Sequence, residues 1–134
     1  MYMQTNAAQS YAQNQVYTRS PVELVSMLFE GAAKFLGQAR SAALQHNTVA
    51  KREALSRTLA IVGELQNSLD LKAGGKIAEN LDALYAFVTT RLIDANADDN
   101  IVAIDEVRRV LDPLRSAWSE LESGAPTGQA LETW

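Results

Sequence analysis

Three short interruptions, QHNT at 45–48, KAGGK at 72–76 and ADDN at 97–100, divide most of this chain into long stretches whose apolar residues recur every three or four positions. That spacing is the signature of a helix with one buried face, and no strand-like alternation competes with it. Links so short cannot cross a domain, so each helix must turn back beside the one before it. The expected fold is all-α, an antiparallel four-helix bundle.

The boundaries of each helix can be read from side-chain chemistry. Ser20 can cap a first helix, Pro21 suits its first position, and Glu23 completes an S-x-x-E capping box. The apolar pattern then runs to about Leu44. A second helix is expected from Thr48 to Asp70, with Leu55, Leu59, Val62 and Leu69 on one face. Ile61 and Leu65 lie beside that face, in a row with Ala54 and Thr58. Gly74 and Gly75 permit the left-handed turn that stops a helix. A third helix from Lys76 to Asn96 carries Ile77, Leu81, Leu84, Val88 and Leu92 as a stripe, flanked by Tyr85. Asp99 or Asn100 can cap a fourth, which repeats Ile104, Val107, Leu111, Leu114, Trp118 and Leu121. Pro113 lies inside that repeat, where a missing N–H should kink the helix.

The flanks differ from this core. Residues 1–19 are polar and aperiodic, yet hold Tyr2, Tyr11, Val16 and Tyr17. They read either as a floppy tail or as an arm that docks on the bundle. Residues 123–134, with Gly, Pro and no lasting period, read as a mobile tail after a bundle spanning 20–122.

One segment carries more apolar surface than a bundle helix requires. Val22, Leu24, Val25, Met27, Leu28, Phe29, Phe35 and Leu36 cover roughly 200° of the first helix, against about 100° for an ordinary core-facing stripe. Glu23, Ser26, Glu30, Lys34 and Ser41 make the narrow polar remainder. Two explanations stand: the helix is central and covered by its neighbours, or the surplus forms a groove for another apolar chain. Five such side chains left exposed would offer a gross driving force on the order of 10 kcal/mol, reduced by the ordering cost of binding. An arm that covers the groove until a partner arrives would reconcile the two.

Composition narrows the chemistry. The 134 residues contain no cysteine, which removes thiolate nucleophiles, thiolate metal sites and disulfides. A net charge of −4, without a basic face, argues against nucleic acid. No apolar run is long enough to insert in a membrane. The polar start has no secretory signal, so a cytoplasmic location is expected. His46 is the single histidine and falls at a helix end, where a cation suits the dipole but a phosphotransfer histidine does not belong. The carboxylate pairs Glu79/Asp82 and Asp105/Glu106 lack the Glu-x-x-His pattern of di-iron bundles. The Gly pair lacks phosphate-loop spacing. No catalytic, metal or cofactor site is expected, and the protein is read as no enzyme.

Three stretches together are similar to a known family. SYAQNQVYTRSPVELVSMLFEGAAKFL, GGKIAENLDALYAFVTTRLIDAN and EVRRVLDPLRSAW, within roughly residues 9–120, resemble the flagellar secretion chaperone family FliS. The specific parts are the capped SP-x-EL-x-x-ML opening and GG-x-IA-x-NL-x-x-LY. The resemblance implies a bacterial cytosolic chaperone that binds the disordered C-terminal segment of flagellin one to one, prevents early polymerisation and delivers it to a component of the flagellar export gate. It also implies that the N-terminal arm covers part of the binding surface. Tyr11, Asn14 and Val16 match the arm, with Tyr11 as displaceable anchor. Leu24, Leu28, Ile61 and Leu65 are expected as groove floor. Asn80, Tyr85 and Arg91 are expected either as rim contacts or as support for the packing of the third helix on the second. The alternative is a helical adaptor binding some other amphipathic segment. Exchange of long helices between protomers would add a homodimer.

Overall fold

The computed structural model describes residues 21–98 and 100–124. Within them lie helices α1 (Pro21–Leu44), α2 (Thr48–Asn67), α3 (Gly75–Ala97) and α4 (Ile101–Glu122), and no strand. The chain is an all-α four-helix bundle. The proposed cap Ser20, the arm residues Tyr11, Asn14 and Val16, and the tail beyond Gly124 lie outside the described residues.

The joint between α1 and α2 is built from three residues. Asn47 N–H donates to the Ala42 carbonyl at 2.8 Å and His46 N–H to the Ala43 carbonyl at 3.1 Å. This paired bonding closes a helix when the intervening residue is left-handed, and His46 has φ 56°. Asn47 then begins α2, its side-chain oxygen accepting from Ala50 N–H at 3.1 Å. Asn100, rather than Asp99, caps α4 in the same way, accepting from Ala103 N–H.

α2 ends at Asn67, three residues short of the expected Asp70. The reason is local competition. Asp70 Oδ1 accepts from Lys72 N–H and Ala73 N–H, which organises a turn instead of another helical bond. The two glycines that follow are needed for different reasons. Gly75 has φ +55°, whereas a Cβ on Gly74 would stand 2.6 Å from Ala78 Cβ and 2.8 Å from the Asp70 carbonyl oxygen.

α4 continues through Pro113 to Glu122. The lost backbone bond faces solvent, while Leu111, Leu114 and Ala117 are buried on the opposite side and hold the helix against the bundle.

α1 packs on α2 and α4, and α3 packs on the same two helices, so α1 and α3 stand diagonally. Phe29, Leu36, Leu55, Val62, Leu65, Val88, Leu92, Ile104, Val107 and Leu114 form the centre, each at most 1% exposed. Toward the α1–α2 joint the core is made of Ala39, Ala43, Ala54, Ala95 and Ala103, small enough to let backbones approach. There Lys51 is 2% exposed, and its Nζ donates to the Asn96 carbonyl at 3.3 Å. A cation at the end of α3 complements that helix's dipole.

Ion pairs tie the helices at their edges. Arg40 Nε donates to Asp105 Oδ1 at 2.8 Å, joining α1 to α4. That hydrogen bond, more than the bare charge, holds the Asp105 carboxyl below the usual carboxylate range. Arg115 joins Glu30 at 3.2 Å across the same pair. Gln66 donates to Asp82 at 2.8 Å between α2 and α3.

Candidate partner-binding surface

Every expected binding residue outside the arm can be placed. Along α1, Leu24, Leu28, Gly31 and Phe35 fall at i, i+4, i+7 and i+11, one line down the helix. Leu24, Leu28 and Phe35 are half-buried, and so is Ile61 across on α2. Gly31 lets the two helices meet there. A Cβ at that position would lie 3.1 Å from Ile61 Cδ1. The four apolar side chains therefore leave a partly exposed apolar strip, a candidate groove, along the side of α1 where Gly31 meets α2.

The surplus on α1 is smaller than its sequence implies. Phe29 and Leu36 are 1% exposed, Met27 is 38% exposed, and Val22, Leu24, Val25, Leu28 and Phe35 retain partial exposure. Ser26, expected on the polar strip, is 2% exposed and belongs to the packed face. α1 is thus partly central and partly uncovered. With about a quarter of each half-buried side chain left open, the stripe holds roughly 2–5 kcal/mol of gross burial free energy rather than 10.

Leu65 corrects the expectation further. It is 1% exposed and sits in the core with Ala54 and Thr58. The row that lies beside the expected face of α2 is itself buried except at the half-buried Ile61, because α2 packs on both α1 and α3 and needs a wide apolar arc. Leu65 nevertheless lines the inner wall of a cleft at the opposite end from the α1–α2 joint. That cleft, about 350 Å³, is bounded by Val25, Leu65, Leu69, Ile77, Leu81, Tyr85 and Trp118 among others. Four helices contribute to it, and Pro21 at the start of α1 stands on its edge.

The α3 residues separate. Tyr85 is 3% exposed and forms part of the cleft wall, so it offers no rim contact. Burial pushes its phenol up to about 12. Arg91 pairs with Glu106 of α4 and with Asp94 at 2.9 Å, which makes it a support between α3 and α4, not between α3 and α2. Asn80 is exposed on α3, away from the α1–α2 groove. Ile77, expected in the core stripe, is 42% exposed at the mouth of the cleft. The cleft itself was not foreseen. Its sequence signal was the excess of large apolar residues, Val25, Leu69, Ile77, Leu81 and Trp118, near helix ends that share one side of the bundle.

Among the described residues no cluster of His, Asp and Glu is placed to hold a metal ion, and no helix is long and apolar enough to cross a membrane. What the surface offers is contact: a strip of half-buried apolar side chains along α1 and α2, and an apolar cleft that Pro21 and Val25 of α1 border.

Comparison with known proteins gives this surface a context. The family model described as Flagellar protein FliS matches residues 3–125. The chain is 39% identical over 119 residues to the flagellar secretion chaperone FliS of Salmonella typhimurium, with 88% of each chain covered. It is 36% identical over 128 residues to that of Campylobacter jejuni, covering 95% of this chain and 100% of the relative. For that of Bacillus subtilis the figures are 30% over 115 residues, with 86% and 85% covered. The chain belongs to the FliS family of flagellar secretion chaperones.

Proposed function

We propose that the protein is a cytoplasmic export chaperone that holds the disordered C-terminal segment of flagellin, one to one, and delivers it to a component of the flagellar export gate. The observation that carries this reading is the apolar cleft to which four helices contribute, with the half-buried Leu24, Leu28 and Phe35 running along α1 from beside it. Flagellin held there cannot use the same segment to polymerise. An extended client that folds into amphipathic helices on contact suits a groove of this kind.

The energetics favour a reversible complex. The groove offers only a few kcal/mol, so the client needs the cleft as well, where inserted side chains leave water completely. Ordering the client consumes part of the gain. The N-terminal arm lowers the net further if its Tyr11, Asn14 and Val16 occupy part of the surface first, with Tyr11 as anchor. Leu24, Leu28 and Ile61 then serve as groove floor, and Leu65 and Tyr85 as cleft wall.

Gel filtration tests the reading. The chaperone should co-elute with full-length flagellin at micromolar concentration and not with flagellin lacking its C-terminal segment. Trp118 supplies a second signal, since it lines the cleft. In a Trp134→Phe protein its emission should shift to the blue as client displaces water. Unchanged elution and unchanged emission with full-length flagellin would refute the proposal. A Tyr11→Ala protein should bind flagellin with altered affinity, and equal affinity would remove the anchor role.

A further inference from the structure

At the far end of the α1–α2 groove the half-buried ring of Phe35 is flanked by two cations. Lys34 Nζ lies 5.4 Å from the ring centroid and Arg57 Cζ 5.5 Å. Both residues are exposed. Among the described residues neither forms an ion pair, in contrast to Arg40, Arg91 and Arg115, which are each fastened to carboxylates. The nearest candidates by sequence do not serve. Glu30, one turn before Lys34, is held by Arg115, and Glu53, one turn before Arg57, makes no pair. Among the described residues, two cations without a carboxylate partner therefore stand over an aromatic face, in a protein whose net charge is −4.

We propose that Lys34 and Arg57 read an acidic side chain of the bound segment, so that the client is an amphipathic helix with an Asp or Glu beyond its apolar stripe. The geometry fixes the spacing. Leu24 and Phe35 are eleven positions apart, about 16 Å or three helical turns. A helix lying along Leu24, Leu28 and Ile61 would carry apolar residues at i, i+4 and i+7. Its carboxylate would follow about one turn later, over Phe35. A carboxylate there gains two charge-assisted contacts without displacing an existing pair, and the adjacent ring keeps both cations oriented. The protein's own arm cannot supply this group, because residues 1–20 contain no Asp or Glu. The clamp thus favours client over arm at a shared groove, a form of specificity that hydrophobic contact alone does not provide.

This inference rests on the groove holding a client helix. The test uses the full chain and synthetic peptides covering the flagellin C-terminal segment, either native or with each Asp and Glu changed singly to the amide. Affinities are measured by calorimetry at 50 and 500 mM NaCl. A Lys34→Gln/Arg57→Gln protein should bind the native peptide about 3- to 30-fold more weakly at low salt and lose most of its salt dependence. One amide peptide should show the same loss with the wild-type protein and no further loss with the double variant. A melting temperature equal to that of the wild-type protein would show that the double variant remains folded, as expected for exposed side chains. Equal binding of all proteins and peptides would overturn the clamp while leaving the groove reading intact. No binding of the native peptide to the wild-type protein would overturn both. If a Glu132→Gln change in the tail alone raises peptide affinity at 50 mM NaCl, the tail is the clamp's occupant and the proposal falls. It falls equally if the double variant changes the protein's own oligomeric state, because a second copy is then the occupant.

Discussion

Adjacent glycines at 74 and 75 should respond very differently to the same substitution. In Gly75→Ala the new methyl meets nothing within 4 Å, so the penalty is the left-handed backbone alone, about 1–2 kcal/mol. In Gly74→Ala the backbone dihedrals are ordinary, with φ −79°, yet the Cβ arrives 2.6 Å from Ala78 Cβ and 2.8 Å from the Asp70 carbonyl oxygen. Neither neighbour is the loose end of a side chain. One is fixed to the first turn of α3, and the other accepts Gly74 N–H at 2.7 Å. Relief requires the turn to open, which costs about 1–3 kcal/mol in overpacking and about 1 kcal/mol for the hydrogen bond. The expected total is about 2–4 kcal/mol, a large share of the roughly 5–15 kcal/mol that holds a domain of this kind. Urea unfolding followed by far-UV circular dichroism measures both changes, with Gly63→Ala as control. That position has open space and should gain up to about 1 kcal/mol. Because Gly74 and Ala78 border the cleft, Gly74→Ala should also weaken client binding more than Gly75→Ala. If Gly74→Ala proves as mild as Gly75→Ala, the steric argument is wrong.

Two further outcomes follow from the bonding described above. His46→Gly should raise the urea midpoint by an amount equivalent to about 1 kcal/mol, since φ 56° is strained for histidine and free for glycine; a lower midpoint would mean that the imidazole contributes more than the strain removes. Asp105 has a depressed pKa, so its contribution to stability is present above the ordinary value of 3.8 and is lost as pH falls through that value toward the lower folded one. Asp105→Asn should therefore flatten the acid limb of the stability profile below about pH 4, and an unchanged acid limb by calorimetric melting would show the Arg40 pair to be inert.

The architecture was readable because its signals are local. Asn47, Asn100 and the Gly pair act on backbone groups within a few positions, so sequence order suffices to find them. Burial is a property of neighbours, and there the sequence misled in a consistent direction. α2 was given one buried row where contact with two helices demands two, which turned Leu65 from groove floor into core. On α3 the same effect worked in reverse at Ile77, whose stripe position lies beyond the reach of its neighbours at the bundle's open end. Ser26 and Lys51 are buried against the expectation for polar residues. Lys51 succeeds because the end of α3 presents the Asn96 carbonyl, which only the folded arrangement brings near. Arg91 illustrates the limit for site residues. A motif match supplies a position, whereas its partner Glu106 lies fifteen residues away and decides what the guanidinium does.

Asn47 uses its N–H for the end of α1, and its carbonyl and side-chain oxygen for the beginning of α2. One amino acid thus serves as the knuckle of a hairpin, and straightening it would break every one of those bonds at once. Any trading of rods between two molecules would have to pivot elsewhere, at the longer passage around Asp70 or ahead of Asn100. α1 and α2 would then travel as a single inseparable arm, taking the whole apolar furrow with them, so a swapped pair would still present two undivided furrows.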